Sequence, residues 1–220
     1  MSDLIFNPDG HTGYHDGKLW PSVTQIIKAA GLSRFNGVPE ENLEAARIRG
    51  RAVDKACEFI DKGLRFQWPS PEIERMFGGY VDAYRKFCAD LDYKSELVQH
   101  IVHDHTYQYF GILDTFGTAD YLRLPAYLKA TFQIKGRHWL LIDRKTGPFG
   151  ADVGLQLAGY LRALETAPFF TGPKSTMILR LGLKLNYDGT YDPPTPFIHP
   201  LDEKIFLSAL TVTNWKGVNL

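Results

Sequence analysis

Apolar side chains recur at helical spacing through the first ninety residues and predict three helices there. The first begins at Ser22, and Gln25 stands three residues later, as a capping box requires. The second follows Pro39, a residue that favours a helix start, and the third covers residues 71 to 91. Residues 1 to 93 are therefore expected to form a mainly helical N-terminal part.

After residue 94 the pattern changes to short runs of β-branched and aromatic residues broken by glycine, which is typical of strands. Residues 138 to 143 (HWLLID) form a near-continuous apolar run that suits a strand covered on both faces. Residues 152 to 165 return to helical spacing. We expect the segment 94 to 165 to hold core strands of a sheet and a helix packed on them.

Residues 166 to 220 are predicted to add C-terminal strands and a closing helix. The stretch TMILRLGLKL alternates apolar with other residues, as a half-exposed strand does, and Asp188-Gly189 supplies a hairpin turn. Neither an internal repeat nor a long linker divides the sequence. Residues 1 to 220 are thus expected to form a single α/β domain with a central mixed β-sheet flanked by helices.

Composition narrows the functional classes. The 25 basic residues balance 25 acidic ones, so a nucleic-acid partner would have to be met by a local basic patch. Two cysteines exclude a zinc ribbon or a four-cysteine iron–sulfur cluster and favour a reducing cytoplasmic setting. The sequence lacks an apolar run of about 18 residues, so no membrane span and no membrane partner are expected.

Charged residues at the end of a buried strand are the main sign of chemistry. Asp143, Arg144 and Lys145 close the apolar run, and strand alternation brings Asp143 and Lys145 out on the same face. One interpretation is an ordinary exposed ion pair, worth under about 1 kcal/mol. Upstream, however, Asp114 and Asp120 each end a G-x-x-D tetrad, where glycine lets a substrate or another backbone come close.

A cluster of carboxylates at a sheet end is costly unless a cation lies between them. Mg²⁺ suits such a site because it takes oxygen ligands and keeps several waters. Lys145 beside the metal would orient or help to deprotonate an attacking water and stabilise charge on a phosphate. The charged strand end is therefore interpreted as a metal-dependent hydrolytic site.

In order and spacing, these elements resemble the PD-(D/E)XK nuclease superfamily. FGILD, LLIDRKTG and LQLAGY are similar to its G-x-x-D, D-x-K-T-G and Q-x-x-x-Y elements. The N-terminal RGRAVDKACE also resembles the phage and prophage exonuclease branch, which includes lambda exonuclease-like and RecB-like nuclease domains. The resemblance runs over nearly the whole chain. It implies a restriction-endonuclease-like core, in which helices flank a mixed sheet.

The resemblance also implies roles for the residues at the strand end. Asp114 and Asp143 would be metal ligands, the main-chain carbonyl of Arg144 would complete the coordination, and Lys145 would be the catalytic lysine. Mg²⁺ or Mn²⁺ would be the cofactor.

Further residues are implied, some as open alternatives. Gln156 and Tyr160, four apart on one helix face, would support the site and contact DNA. Asp120 stays open as the alternative to Asp114, and Glu96 is a further ligand, directly or through water. Asp54 stands where the branch usually has a histidine ligand. Aspartate still binds a hard cation, with a shift towards Mg²⁺.

The implied function is hydrolysis of DNA phosphodiester bonds by a deoxyribonuclease, as an exonuclease on linear double-stranded ends during phage recombination. The host cytoplasm would be its location, a single-strand annealing protein a partner, and homo-oligomers are a feature of processive relatives. Two alternatives stay open: a catalytically inactive DNA-binding protein, with Asp54 as the sign of decay, and a protein-binding inhibitor that keeps the nuclease fold.

A histidine cluster offers a second candidate metal site. His103 and His105 share a strand face, with His100 nearby, but Asp104 points away from them. A solvated strand end is the favoured interpretation of this cluster.

Overall fold

The computed structural model describes residues 4–7, 12–33, 39–130, 136–172 and 177–219. The strands are β1 (Ile5–Asn7), β2 (Thr12–His15), β3 (Lys18–Trp20), β4 (Lys94–Asp104), β5 (Tyr109–Asp120), β6 (Arg137–Lys145), β7 (Ile178–Lys184) and β8 (Thr195–Pro196). The helices are α1 (Val23–Ala29), α2 (Glu40–Asp61), α3 (Pro71–Leu91), α4 (Ala126–Lys129), α5 (Asp152–Thr166) and α6 (Asp202–Asn219).

A five-stranded mixed sheet in the order β4-β5-β6-β7-β8 forms the centre of the protein. Its neighbours pair antiparallel except for β6 and β7, which are parallel and are joined through α5. A parallel pair needs such a crossover because a tight turn cannot return the chain to the same end of the sheet. The expected α/β class with a mixed sheet flanked by helices is confirmed.

Helices cover the sheet on both faces. On one face α1, α5 and α6 bury an apolar cluster that includes Ile26, Phe116 and Phe206. On the other face α2 and α3 bury a second cluster that includes Tyr84 and Leu181. The sheet therefore has a dry interior on each side, and a charged group on any central strand must find a partner or reach the sheet edge.

The three predicted N-terminal helices are present with nearly the expected bounds. Ser22 caps α1: its hydroxyl accepts the Gln25 main-chain N–H (3.3 Å), and the Gln25 side chain accepts the Ser22 N–H (2.8 Å). Gly31 follows with a positive φ of 78°, a conformation that suits glycine after a helix. This local chemistry fixes where α1 starts, and so the orientation of the helix that forms one wall of the candidate site.

Two features depart from the sequence expectations. The strand β7 is covered on both faces rather than half exposed, because Leu179, Leu181 and Leu183 face α2 and α3 while Phe149 and Phe197 cover Gly182. The small antiparallel sheet of β1, β2 and β3 lies within the N-terminal part that was expected to be mainly helical. Within the described residues, no helix is both long and apolar enough to cross a bilayer.

Candidate active site

Asp114 and Asp143 meet at the boundary between β5 and β6. The two strands pair antiparallel with Thr115 opposite Ile142, so the next positions along the ladder are Asp114 and Asp143. The Asp114 Oδ2 accepts the main-chain N–H of Arg144 at 2.8 Å, which holds this carboxylate across the end of β6. The sheet register therefore brings the two predicted metal ligands together.

Asp143 is enclosed by groups that bind its two oxygens separately. Its side chain is 1% exposed, and the Lys145 Nζ lies 2.6 Å from Oδ2 in an ion pair. The Gln156 Nε2 on α5 donates to Oδ1 at 2.9 Å and also lies 2.9 Å from the Tyr160 hydroxyl. Asp143, Lys145 and Gln156 thus form one connected unit, and Tyr160, the fourth residue predicted from the D-x-K and Q-x-x-x-Y elements, is bonded to it through Gln156.

The Tyr160 side chain lies behind this unit rather than in the cleft. The residue is 5% exposed, and its ring packs against Gly111 of β5, where any Cβ would collide with it. Glycine at this position is what lets α5 approach the strand. Tyr160 is thus a buried partner of Gln156, and the roles predicted for it, support of the site and contact with DNA, stay predictions.

Asp54 adds a third carboxyl group from α2. Burial first, and then the neighbouring Asp114, raise its pKa to about 7. Burial is also the largest cause that raises the pKa of Asp143, to about 6, although Lys145 and Arg144 act in the opposite direction. These two shifts identify a place where negative charge is crowded and only partly compensated.

Lys145 carries its proton in this setting. Burial alone would lower the pKa of its ammonium group, but Asp143 and Asp114 outweigh burial and the pKa is raised. A lysine with a raised pKa cannot act as a base near neutral pH, so in the metal-free protein it provides positive charge and hydrogen bonds. That restricts the role predicted for Lys145 to orientation and charge stabilisation.

Behind the site, the Arg144 side chain points to the opposite face of β6. Its guanidinium is 1% exposed and pairs with Asp61 of α2, Nη1 to Oδ2, at 2.7 Å. It also lies over the Tyr84 ring, 4.8 Å from the centroid, and the Tyr84 hydroxyl donates to Asp61 at 2.6 Å. We call Arg144, Asp61 and Tyr84 the buried arginine cluster. The sequence shows no sign of this cluster, because its three residues are far apart in the chain and only the carbonyl of Arg144 had been assigned a role.

The site opens into a cleft of about 490 Å³ between α1, α2 and the loop that follows β6. Its walls carry Asp54, Asp152 and Gln156 together with five basic residues: Lys28, Arg47, Arg49, Arg144 and Lys145. The Arg49 Nε donates to the Thr146 hydroxyl at 3.0 Å, which fastens the loop after β6 to α2. Arg47 pairs with Glu40 and Glu44, and Lys145 with Asp143, so part of this positive charge is neutralised within the protein. Basic residues thus gather at the cleft of a chain whose formal charge is zero, as nucleic-acid binding would require.

Two sequence candidates lie outside this cluster. Asp120 ends β5 six residues beyond Asp114, where its side chain accepts the Leu122 N–H at 2.9 Å, so the structure brings Asp114 and not Asp120 to Asp143. Glu96 is exposed at an irregularity of β4 between Ser95 and Leu97. Gln99 is the residue of β4 opposite Asp114, and Glu96 lies three positions from it along the strand. At the rise of a strand this separates Glu96 from the level of Asp114 by about 10 Å.

Gln99 is the residue of β4 that the register places opposite Asp114, between the pairs Val98 with Thr115 and His100 with Leu113. It has a positive φ of 46°, which is uncommon for a non-glycine residue and is one of the strained conformations that cluster at functional sites. A single sequence gives no signal for this conformation, so Gln99 was not among the predicted residues.

The histidine cluster is a separate feature at the β4–β5 turn. The Nε2 atoms of His103 and His105 lie 3.0 Å apart, and the His105 ring meets Trp20 edge on. Asp104 turns inward as expected, where Oδ2 accepts from Arg162 at 3.2 Å. A pair of mutually contacting imidazoles fits a packed turn as well as a metal site.

The donor chemistry of the cleft suits a hard divalent cation. In the part of the chain that the structure describes, no three His, Cys, Asp or Glu side chains stand as a ready set of metal ligands. The convergent groups Asp54, Asp114 and Asp143 are nevertheless all oxygen donors, which Mg²⁺ and Mn²⁺ take in preference to nitrogen or sulfur. Burial first, and the charge of Asp114 in addition, raise the pKa values of Asp54 and Asp143, and a bound cation would relieve both effects.

Comparison with known proteins assigns no family. A scan against protein-family models finds no match, and a search of curated protein sequences finds no significant relative.

Proposed function

We propose that the protein is a metal-dependent deoxyribonuclease of the PD-(D/E)XK type. The observation that carries the proposal is the contact between Asp143 and Lys145 at 2.6 Å, with Asp114 held beside them by the Arg144 N–H. An ordinary surface ion pair would be exposed, whereas the Asp143 side chain is 1% exposed and lies beside further carboxyl groups at the end of a basic cleft.

In this proposal Asp114 and Asp143 hold Mg²⁺ or Mn²⁺, with Asp54 and the Arg144 carbonyl as further oxygen ligands. The bound cation would supply Lewis-acid activation of a water and of the phosphate. Gln156 fixes the orientation of the Asp143 carboxylate through the hydrogen bond to Oδ1, as outer partners of metal ligands commonly do. Because it is protonated, Lys145 stabilises the negative charge that develops on the phosphate.

The cleft supports a nucleic-acid substrate of limited width. A volume of about 490 Å³ is in the range of pockets that enclose a small ligand, so one nucleotide fits and a whole duplex does not. Lys28, Arg47 and Arg49 on the walls would meet the phosphates. This agrees with the proposed exonuclease action on linear DNA ends in phage recombination, in which one strand enters the site.

The test is a paired digestion of end-labelled linear duplex and closed circular DNA with Mg²⁺ or Mn²⁺. We expect loss of the linear substrate only, abolished by EDTA and reduced at least about 100-fold by Lys145→Ala. Lys62→Ala is the matched control, because Lys62 is a surface lysine that pairs with Glu58 outside the cleft. It should cut at the wild-type rate.

Absence of cleavage by the intact protein with either metal would overturn the proposal. DNA binding that persists without cleavage would then favour the inactive DNA-binding alternative. A stoichiometric protein partner with no DNA retained at low salt would favour the inhibitor. Asp54→His would separate a decayed site from one that never cut, because restored cleavage would identify Asp54 as the defect.

A further inference from the structure

The buried arginine cluster is built on the residue that separates the two charged groups of the site. Asp143 and Lys145 pair with each other on the cleft side of β6, and Arg144 between them directs its side chain to the opposite face. The main-chain N–H of Arg144 donates to the Asp114 carboxylate at 2.8 Å. A displacement of Arg144 would therefore move Asp143, Lys145 and Asp114 together.

On the side of β5, this end of β6 lies beyond the regular strand pairing. The register of the two strands ends with Thr115 opposite Ile142, one residue before Asp143. The next main-chain N–H on this side, that of Arg144, is bound by the Asp114 side chain instead of by a ladder partner. Side-chain contacts therefore contribute to holding the strand end in place.

Few contacts hold the Arg144 guanidinium itself. Nη1 donates to Asp61 Oδ2 at 2.7 Å, and the guanidinium lies 4.8 Å from the centroid of the Tyr84 ring. Among the described residues, Nε and Nη2 have no hydrogen-bond partner, and the Asp54 Oδ1 is 3.8 Å from Nε. Because the side chain is 1% exposed, bulk water does not replace the Asp61 carboxylate when it is removed. The position of Arg144 thus depends on Asp61.

Asp61 is fixed in turn by groups from two other elements. It is the last residue of α2, and its Oδ1 accepts from the Tyr84 hydroxyl of α3 at 2.6 Å. Its main-chain carbonyl accepts from the Ser95 hydroxyl of β4 at 2.9 Å. The cluster therefore ties the end of β6 to both helices on that face of the sheet and to the edge strand.

Stability alone is a weak reason for such a cluster. A buried ion pair loses much of its Coulombic gain to desolvation, and apolar residues of similar volume often stabilise a core as well or better. A charge-assisted hydrogen bond, however, has a directional geometry that an apolar contact lacks. The cluster is therefore suited to fixing the place of one residue, and that residue is Arg144.

We propose that Asp61 and Tyr84 are positioning residues of the metal site. By fixing the Arg144 side chain, they hold the main chain of this residue so that its N–H keeps Asp114 beside Asp143. The inference rests on the proposed function, in which these two carboxylates and the Arg144 carbonyl bind the cation. Asp61 and Tyr84 lie on the other face of β6 and act through Arg144 rather than by contact with the cation.

Calorimetric titration of the DNA-free protein with Mn²⁺ tests the proposal, because it measures the site without its activity. Asp61→Asn keeps the shape of the side chain, removes its charge and leaves one acceptor for two donors. We expect Mn²⁺ affinity to fall at least about 10-fold. Tyr84→Phe keeps the ring beside Arg144 and removes only the bond to Asp61. It should lower Mn²⁺ affinity about threefold, as the loss of a modest hydrogen bond does, and it carries the test if Asp61→Asn folds poorly.

Asp104→Asn is the matched control. Asp104 is also a fully buried aspartate paired with an arginine, in this case Arg162 at 3.2 Å. It lies opposite Tyr109 of β5, which is five positions from Asp114, or about 17 Å at the rise of a strand. This variant should lose stability in urea unfolding, as Asp61→Asn does, yet bind Mn²⁺ like the wild type.

The outcomes separate this inference from the proposed function. Weaker Mn²⁺ binding in Asp61→Asn and Tyr84→Phe, with Asp104→Asn unchanged, supports the positioning role. Wild-type affinity in both cluster variants overturns the inference and leaves the nuclease proposal intact. An equal loss in Asp104→Asn also overturns it, since general loosening of the fold is then the cause. Absence of Mn²⁺ binding by the wild type overturns the proposed metal site and this inference with it.

Discussion

Ionisation of Asp143 should weaken the metal-free protein. Burial is the main cause that raises the pKa of this carboxyl from 3.8 to about 6. The folded protein therefore holds the proton more tightly than the unfolded chain does. Its stabilising effect is fully present below the unfolded pKa and is lost as the pH rises from about 4 through about 6. The pKa of Asp54 is raised to about 7, so its ionisation continues the loss of stability to pH values above the pKa of Asp143.

The magnitude follows from the gap between the two pKa values. A gap of about two units corresponds to about 3 kcal/mol of unfolding free energy in total. Since the Asp143 side chain is 1% exposed, solvent screens little of this. Roughly half of the total, about 1.4 kcal/mol, is expected between about pH 5 and about pH 8, because part is already lost at the lower pH.

The assay is urea unfolding in EDTA at these two pH values, for the wild type and for Asp143→Asn. The amide stays neutral, so the stability of the variant relative to the wild type should rise by about 1.4 kcal/mol between the lower and the higher pH. Carboxyl groups far from Asp143 contribute equally to both proteins and cancel. Asp54 does not, because the Asp143 charge influences its pKa, so both proteins are compared in an Asp54→Asn background. If the difference between the two proteins is the same at both pH values, the burial argument for Asp143 is refuted.

Three further predictions follow from individual contacts. Asp61→Ala should lower the unfolding free energy by about 3 kcal/mol in urea titrations, because it leaves the Arg144 charge buried without its closest partner. Glu40→Ala, which removes a surface ion pair, is the control and should lower the unfolding free energy by less than about 0.5 kcal/mol. Gln156→Ala should reduce Mg²⁺ affinity about 10-fold or more by calorimetry, since it frees the Asp143 carboxylate; an unchanged affinity would remove Gln156 from the site. Arg49→Ala should weaken DNA binding and reduce the dependence of log affinity on log salt by about one unit, while Arg85→Ala, on the exposed side of α3, should change neither.

Much of the fold followed from local signals. The capping box at Ser22 and Gln25, the periodicity of residues 71 to 91 and the apolar run of β6 each specify one element with little help from the rest of the chain. The adjacency of Asp143 and Lys145 also followed, because strand alternation depends only on the sequence number. The choice of Asp114 over Asp120 needed the register of β5 with β6, although the resemblance of FGILD to the G-x-x-D element had favoured Asp114.

What sequence reasoning missed depends on distant packing. The buried arginine cluster joins Asp61 and Arg144, which are 83 residues apart in the sequence. Taken alone, each is a charged residue on a helix or a strand, and the sequence does not indicate that the two are paired. Gln99 is distinguished only by its positive φ at the position of β4 opposite Asp114, and this conformation cannot be read from the sequence. The alternating pattern of β7 predicted one exposed face. That prediction was wrong because Phe149 and Phe197, from outside the strand, cover this face at Gly182, where the missing side chain leaves room for them.

The two faces of the charged strand end differ in how their charge is balanced. On the inner face, the closest partner of the Arg144 charge is Asp61 at 2.7 Å, with Tyr84 as a stacking partner. On the cleft face, Asp143, Asp114 and Asp54 lie around Lys145, and the Arg144 Nε is 3.8 Å from the Asp54 Oδ1. Four carboxyl groups thus share the charges of Arg144 and Lys145, so full ionisation would leave two negative charges in excess; burial raises the pKa values of Asp143 and Asp54 first, and the Asp114 charge adds to both. A structural ion pair has no need of such an excess, whereas a site for a divalent cation requires it.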